Sequence, residues 1–103
     1  MPRFDIIAGP GAGTSIEITH TFSVIGRQKG CEIFLDDTQA SRKHAKLSHV
    51  EGRYIFEDLG SRNGSFVNGQ RITQTELHEG DEVIVGNVTM RFVNVAEIDD
   101  KGK

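Results

Sequence analysis

Hydrophobic side chains along this chain alternate with polar ones over short runs, which is the pattern of β-strands with one buried face. Four runs are the clearest: Arg3 to Ile7, Phe22 to Ile25, Tyr54 to Leu59 and Val88 to Val93. Turn-forming residues separate the runs, and Asn68-Gly69 is the strongest sequence signal for a two-residue hairpin loop. Gly86-Asn87 predicts a second such loop. The pattern therefore predicts short strands joined by tight turns.

The remaining apolar positions add further strands of the same kind. They lie around Ile16 and Ile18, at Ile33 to Leu35, around Leu47 and Val50, around Ile72 and Leu77, and at Val83 to Val85. No segment of ten or more residues keeps a 3.6-residue period with helix caps, although 36–46 has room for one helical turn. Ten or eleven short strands spaced by Gly, Asn and Asp predict an all-β fold, a β-sandwich of about eleven strands.

The length of 103 residues and the apolar fraction of 36% predict one domain with one core. We place this domain at 1–95, followed by a polar tail at 96–103. No apolar run approaches the roughly 20 residues of a membrane helix, and the first residues lack the apolar segment of a signal peptide. The single Cys31 cannot form an internal disulfide, and we assign it a packing role. These features predict a cytoplasmic protein without membrane contact.

The formal net charge of −3 argues against a general nucleic-acid binder, but the charges are unevenly distributed. Between Gly26 and Gly69 there are seven basic and six acidic residues, whereas the rest of the chain has five and nine. A slightly positive region on an acidic chain favours one specific anionic ligand over a polyanion.

The stretch from Asp58 to Gly69 contains more hydrogen-bond donors than a connecting loop needs. Gly60 and Gly64 allow backbone conformations that other residues avoid, so Ser61, Arg62 and Asn63 can all project from one short loop. A hydroxyl, a guanidinium and an amide together form a donor set suited to an anion.

Three clusters of this kind stand at strand ends. They are Gly26-Arg27, then Ser41-Arg42-Lys43-His44, then Gly60-Ser61-Arg62-Asn63-Gly64 with Asn68-Gly69. In this order they resemble the pattern of the forkhead-associated (FHA) domain family, and the resemblance extends from the first strand to about Val95. It implies a β-sandwich of about eleven strands whose loops at one end bind phosphothreonine peptides.

The resemblance also implies roles for individual residues. Arg27 is expected to pair with the phosphate through its guanidinium, and Ser41 to donate its hydroxyl to a phosphate oxygen. Arg42 and Arg62 match positions that contact the phosphate or the nearby peptide, and Asn63 matches the asparagine that hydrogen-bonds the peptide backbone. We add Ser61 to this binding set as a neighbouring donor that, in this family, can contact residues beyond the phosphothreonine.

A second group is expected to brace the loops rather than to touch the ligand: Gly26, His44, Gly64, Asn68 and Gly69. The glycines are assigned to backbone geometry. For His44 we predict a buried, hydrogen-bonded position, because no second His, Cys or Asp stands at metal-ligand spacing. We therefore predict neither a metal site nor a cofactor.

Other functions fit the sequence less well. The glycine-rich turn at 8–13 contains a proline and lacks the Gly-Lys-Ser/Thr and helix of a phosphate-binding loop. Ser41 and His44 could suggest a nucleophile and base, but no nucleophile elbow or orienting acid accompanies them, so we predict no enzyme. No aromatic residues interleave with the basic ones, which argues against nucleic acid.

The sequence thus predicts a phosphothreonine-dependent peptide-binding or protein-binding module that acts in Ser/Thr kinase signalling. Its partner would be a threonine-phosphorylated protein, and the module itself a monomer. The alternative is a docking module on the same fold that does not depend on phosphorylation.

Overall fold

In the computed structural model, residues 2–95 are described, and they form two β-sheets that enclose one core. Eleven strands follow in chain order: β1 (Arg3–Ala8), β2 (Ser15–Glu17), β3 (Phe22–Gly26), β4 (Ile33–Phe34), β5 (Ala45–Val50), β6 (Arg53–Asp58), β7 (Ser65–Val67), β8 (Gln70–Ile72), β9 (Gln74–Leu77), β10 (Glu82–Val85) and β11 (Val88–Val93). This confirms the predicted all-β sandwich. The predicted polar tail at 96–103 lies outside the described residues.

The six-stranded sheet has the order β2-β1-β11-β10-β7-β8, and the five-stranded sheet has the order β4-β3-β5-β6-β9. Neighbouring strands of these sheets are antiparallel except β3 and β4, which are parallel. The predicted hairpin loop at Asn68-Gly69 joins β7 to β8, and both residues have the positive φ of a type I′ turn. Within 2–95 no helix is long and apolar enough to cross a membrane.

Alternation along each strand sends one set of side chains into the space between the sheets. Phe4, Met90 and Phe92 are fully buried on the six-stranded sheet, and Phe56 is fully buried on the other. The ring of Tyr54 from the five-stranded sheet lies 5.3 Å from that of Phe92, so aromatic contacts join the two sheets.

Strand direction brings the three predicted clusters to one end of the molecule. Ile25 near the end of β3 and Asp58 at the end of β6 both pair with Ala45, the first residue of β5, because β5 is antiparallel to both strands. The segment after Gly26, the segment before Ala45 and the loop after Asp58 therefore emerge together. Ser65, which follows the third loop, pairs with Val85 at the matching end of the other sheet.

Gly26 lies where two of these segments meet without space for a side chain. A Cβ at this position would lie 2.0 Å from the carbonyl oxygen of Arg42. The N–H groups of the next two residues, Arg27 and Gln28, donate to the carbonyls of Ser41 (3.0 Å) and Arg42 (3.2 Å). The absence of a side chain at Gly26 therefore lets the two segments pack backbone to backbone.

The Gly26→Ala variant should lose about 3 kcal/mol of unfolding free energy, since backbone atoms rather than a mobile side chain must move. Gly13→Ala is a suitable control, because a Cβ there meets no atom within 4 Å and adds only the cost of its positive φ, about 1 kcal/mol. Urea unfolding measures both values. Equal losses in the two variants would contradict the close approach at Gly26.

Candidate anion-binding site

A cavity of about 390 Å³ opens among the loops at this end of the sandwich. Its lining consists of Arg27, Thr38, Gln39, Ala40, Ser41, Arg42, Arg62 and Asn63. Five of the six residues predicted to bind the ligand are in this set. None of its three guanidinium groups forms an ion pair with another described residue. The cavity is therefore lined by positive charge that the described residues leave unneutralised.

Arg27 is held in place by the backbone rather than by a carboxylate. Its Nε donates to the carbonyl oxygen of Ala40 at 3.0 Å. Its two terminal nitrogens make no hydrogen bond within the described residues. A guanidinium fixed through Nε retains the two parallel donors that suit a phosphate or carboxylate.

The hydroxyl of Ser41 connects two loops and keeps a proton to donate. Its oxygen accepts the backbone N–H of Arg62 at 3.0 Å. A serine hydroxyl has one donor and two acceptor positions, so the hydrogen remains available for a ligand oxygen. Ser41 is partly buried and stands beside Arg42 in the wall of the cavity.

Asn63 crosses from the loop after β6 to the segment before β5. Its Nδ2 donates to the carbonyl oxygen of Gln39 at 2.8 Å and lies 3.5 Å from Oε1 of the same residue. Its Oδ1 accepts no hydrogen bond from the described residues. This oxygen can accept an N–H group of an extended peptide.

Ser61, by contrast, does not line the cavity. Its hydroxyl donates to Oδ1 of Asp58 at 2.5 Å and accepts the backbone N–H of Gly64 at 2.9 Å. The proton of the hydroxyl is thus used inside the loop. The sequence grouped Ser61 with the binding residues as a neighbouring donor; in the structure its hydroxyl helps to shape the loop beside the cavity.

Asp58, which the sequence interpretation did not single out, organises this loop. Oδ1 accepts the hydroxyls of Ser61 and Ser65, and Oδ2 accepts the backbone N–H of Ser61 at 2.9 Å. Burial by itself would raise the pKa of this carboxyl, but hydrogen bonds from the two serines outweigh burial and hold the pKa below its usual value. An aspartate at a strand end, followed closely by Gly-Ser, is a sequence signal of local side-chain-to-backbone hydrogen bonding that could have revealed it.

His44 lies at 0% exposure between the two loops that flank the cavity. Its Nδ1 accepts the backbone N–H of Ser41 at 3.1 Å. Its Nε2 lies 2.9 Å from the carbonyl oxygen of Gly64, to which it donates as the proton-bearing nitrogen of a neutral ring. One buried side chain thus joins both loops, in the kind of position predicted for it.

The predicted bracing residues Gly64 and Asn68 act at different places. Gly64 has a φ of 86°, and a Cβ there would lie 2.7 Å from Nε of Arg71. Asn68 donates to Asp81 and accepts the N–H of Glu82, each at 3.0 Å. Asn68 and its neighbour Gly69 therefore fix the β7–β8 turn, at the other end of β7 from the cavity.

Asp37 is a second structural residue that the sequence interpretation did not find. It is 5% exposed, and its Oδ2 accepts the backbone N–H of Asn87 at 2.7 Å. Its Oδ1 accepts Nδ2 of Asn87 at 3.2 Å and lies 3.4 Å from the backbone nitrogen of Gln39. These bonds tie the segment between β4 and β5, which lines the cavity, to the β10–β11 turn of the other sheet.

The assembled groups suit a compact, multiply charged anion. Three guanidinium groups, a free hydroxyl hydrogen and an amide oxygen surround one opening. Guanidinium groups bind phosphate through two parallel hydrogen bonds, which a lysine cannot reproduce. Among residues 2–95, no group of three or more His, Cys, Asp or Glu side chains could hold a metal ion.

The Asp58→Asn variant should be less stable than the parent at neutral pH by about 1 to 3 kcal/mol, because an amide cannot accept all three hydrogen bonds. The folded-state pKa of Asp58 lies below its unfolded value. The stability that the carboxylate contributes is therefore present above the ordinary pKa of 3.8 and is lost as pH falls through the lower folded value. The difference in unfolding free energy between the variant and the parent should shrink below about pH 4.

Urea unfolding at several pH values measures this difference, and Asp36→Asn, at an exposed side chain, is the control. A difference that stays constant down to the acid transition would show that the carboxylate charge is not what stabilises the loop.

Comparison with known proteins finds one matching family model and several proteins of similar sequence. A model of the FHA domain family matches residues 23–86. The chain is 35% identical over 94 residues to the glycogen accumulation regulator GarA of Mycolicibacterium smegmatis, covering 91% of this chain and 60% of that protein. It is 35% identical over 86 residues to an oxoglutarate dehydrogenase inhibitor of Corynebacterium jeikeium, covering 84% of this chain and 60% of that protein. The chain thus spans about three fifths of the length of these relatives.

Solved structures share the fold over nearly the same span. The FHA domain of the CT664 protein from Chlamydia trachomatis superposes with a TM-score of 0.82 at 27% identity, covering 90% of this chain and 96% of that domain. Mycobacterium tuberculosis EmbR, solved with a low-affinity phosphopeptide, gives 0.83 at 27% identity, covering 89% of this chain and 24% of EmbR. With the family match over more than half of its length and the shared sandwich, the chain belongs to the FHA domain family.

Proposed function

We propose that the chain is a phosphothreonine-dependent binding module, and that the cavity lined by Arg27, Ser41, Arg42, Arg62 and Asn63 holds the phosphate and the adjacent peptide backbone. One observation carries the proposal: three arginines converge on one opening without a carboxylate partner in the described residues. Because no internal counter-ion neutralises these charges, the site favours an external anion that can do so.

A phosphate monoester fits this opening better than a carboxylate does. Near neutral pH it carries about −1.5 to −2 charge and three acceptor oxygens. Arg27 can offer two parallel donors, and Ser41 a hydroxyl hydrogen. Asn63 has a free oxygen for an N–H group of the peptide. The set matches one phosphorylated residue in an extended chain rather than a long polyanion.

The relatives support a regulatory role. One is named a glycogen accumulation regulator and another an oxoglutarate dehydrogenase inhibitor, and EmbR was solved with a phosphopeptide. We infer that the chain binds a threonine-phosphorylated protein downstream of a Ser/Thr kinase in the cytoplasm, as a monomer and without catalysis of its own. Phosphorylation-independent docking on the same fold is the competing function, and peptide titration separates the two.

The Arg27→Ala variant should lose about 2 to 4 kcal/mol of binding free energy for a phosphothreonine peptide, or about thirty- to a thousand-fold in affinity. The fold should be unaffected, because this exposed residue follows the end of β3. Arg53→Ala is the matched control, since Arg53 is exposed in the β5–β6 hairpin at the far end of the sandwich. Calorimetric titration measures both. An equal loss in the two variants would indicate general electrostatic attraction instead of a phosphate contact.

The phosphothreonine peptide should bind more than about fourfold more tightly than its phosphoserine counterpart, while the unphosphorylated and glutamate forms should not bind measurably. One methyl group accounts for about 0.8 kcal/mol, or fourfold, by transfer from water alone. A methyl pocket beside Asn63 and the backbone near His44 would add a cavity term, because the fixed loops cannot collapse around phosphoserine.

The same titration, repeated with four peptides that differ at one residue, tests this. If the phosphothreonine peptide binds no more than about four times as tightly as the phosphoserine peptide, the site is a general phosphate-binding site without a methyl pocket. Equal binding of the unphosphorylated peptide would favour the docking function.

A further inference from the structure

The segment 37–40, between β4 and β5, provides hydrogen-bond acceptors for two of the side chains in the cavity. The carbonyl oxygen of Gln39 accepts Nδ2 of Asn63 at 2.8 Å, and the carbonyl oxygen of Ala40 accepts Nε of Arg27 at 3.0 Å. These bonds leave Oδ1 of Asn63 and the two terminal nitrogens of Arg27 for a ligand. The backbone of the segment therefore sets the orientation in which both side chains meet that ligand.

The segment is itself held by Asp37, whose side chain is 5% exposed and does not line the cavity. Oδ2 of Asp37 accepts the backbone N–H of Asn87 at 2.7 Å, and Oδ1 accepts Nδ2 of the same residue at 3.2 Å. The carbonyl oxygen of Asp37 accepts the N–H of Ala40 at 3.2 Å, which closes a turn over 37–40. One buried residue thus connects this turn to the six-stranded sheet.

The β10–β11 turn, which provides the partner of Asp37, is closely packed. A Cβ on Gly86 would lie 2.3 Å from Oδ2 of Asp37 and 2.8 Å from the backbone nitrogen of Ala40. A Cβ on Gly9, in the turn between β1 and β2, would lie 2.0 Å from the carbonyl oxygen of Asn87. Asp37 is therefore anchored to a turn that has little space in which to move.

Ser41, the next residue along the chain, has anchors of its own. Its backbone N–H donates to His44 at 3.1 Å, and its hydroxyl oxygen accepts the N–H of Arg62 at 3.0 Å. The side chains that depend on segment 37–40 for their orientation are therefore those of Arg27 and Asn63.

We propose that Asp37 is a positioning residue for phosphothreonine binding, which acts on Asn63 and Arg27 through the carbonyls of Gln39 and Ala40 and does not touch the ligand. The inference rests on the proposed function. It predicts an effect opposite in sign to that of charge alone. Replacing a carboxylate near the cavity with a neutral amide would, by charge alone, strengthen the binding of a dianion. Loss of the positioning bonds weakens it, because the side chains must then be ordered as the ligand binds.

The test variant is Asp37→Asn, which keeps the size of the side chain. An amide cannot accept two N–H groups on its two ends, because its nitrogen is a donor. Asp81→Asn is the matched control. Asp81 also accepts an asparagine amide, from Asn68 at 3.0 Å, and a backbone N–H, from His78 at 2.8 Å, but at the other end of β7 from the cavity.

A second background, Arg27→Lys/Asn63→Ala, removes the two side chains that the segment orients. Lysine keeps the charge of Arg27 but has no Nε, and alanine has no amide, so neither the carbonyl of Gln39 nor that of Ala40 retains its side-chain partner. Asp37→Asn is introduced into this background as well as into the wild type, which completes a mutant cycle.

Each protein is titrated with one phosphothreonine peptide, chosen for its affinity for the wild type from a library with random flanks. Asp37→Asn should weaken binding about 5- to 20-fold, within the range of couplings measured inside one hydrogen-bond network. Asp81→Asn should change the affinity by less than about twofold. In the Arg27→Lys/Asn63→Ala background, where titration is followed by NMR at high peptide concentration, Asp37→Asn should cost less than about twofold.

Exchange of the Arg27 Nε proton with water is a readout that a general loss of stability would not move. The hydrogen bond to the carbonyl of Ala40 should slow this exchange in the free wild-type protein. Asp37→Asn should accelerate it by about threefold or more, whereas Asp81→Asn should leave it unchanged.

The inference alone is overturned if Asp37→Asn binds as tightly as the wild type or more tightly. It is also overturned if Asp81→Asn loses as much affinity, or if the loss persists undiminished in the Arg27→Lys/Asn63→Ala background. Failure of the wild type to bind any peptide of the library overturns the proposed function and the inference with it.

Circular dichroism of each variant establishes that the fold is retained before titration. If Asp37→Asn does not fold, Asn87→Ala takes its place, since it removes only the bond from Nδ2 and keeps the backbone N–H. Asn87 does not line the cavity. This milder change should weaken binding about two- to fivefold, and the same outcomes decide.

Discussion

The site depends on one buried imidazole. His44 holds the segment before β5 through the N–H of Ser41 and the loop after β6 through the carbonyl of Gly64. Each of these groups would otherwise face the interior without a partner, at a cost of about 1 to 3 kcal/mol. The two loops provide Ser41, Arg42, Arg62 and Asn63. The distance between their donors is fixed by the imidazole together with the Ser41–Arg62 and Asn63–Gln39 hydrogen bonds. Preorganisation of this kind lowers the ordering cost of binding.

The sequence predicted the sandwich and the strand count, because alternation and turn chemistry are local signals. Five of the eight residues that line the cavity were named from the resemblance to the FHA family. The sequence could not supply the strand order, since an alternating strand shows which face is buried but not which strand is its neighbour. The structural roles of Asp37 and Asp58 were missed for a related reason. The hydrogen-bond partner of Asp37 is Asn87, 50 residues away, and a serine hydroxyl looks the same in sequence whether its partner is a ligand or Asp58.

The acidic residues at this end of the molecule explain how the arginines remain available. Asp37 is satisfied by Asn87 and Gln39, and Asp58 by two serine hydroxyls and a backbone N–H. If either carboxylate instead paired with an arginine of the cavity, an arriving phosphate would first have to break that ion pair. Neutral donors therefore stabilise the loop carboxylates while the guanidinium groups stay free. The repulsion among these like charges, screened by solvent at the open cavity, is a cost that a bound dianion removes.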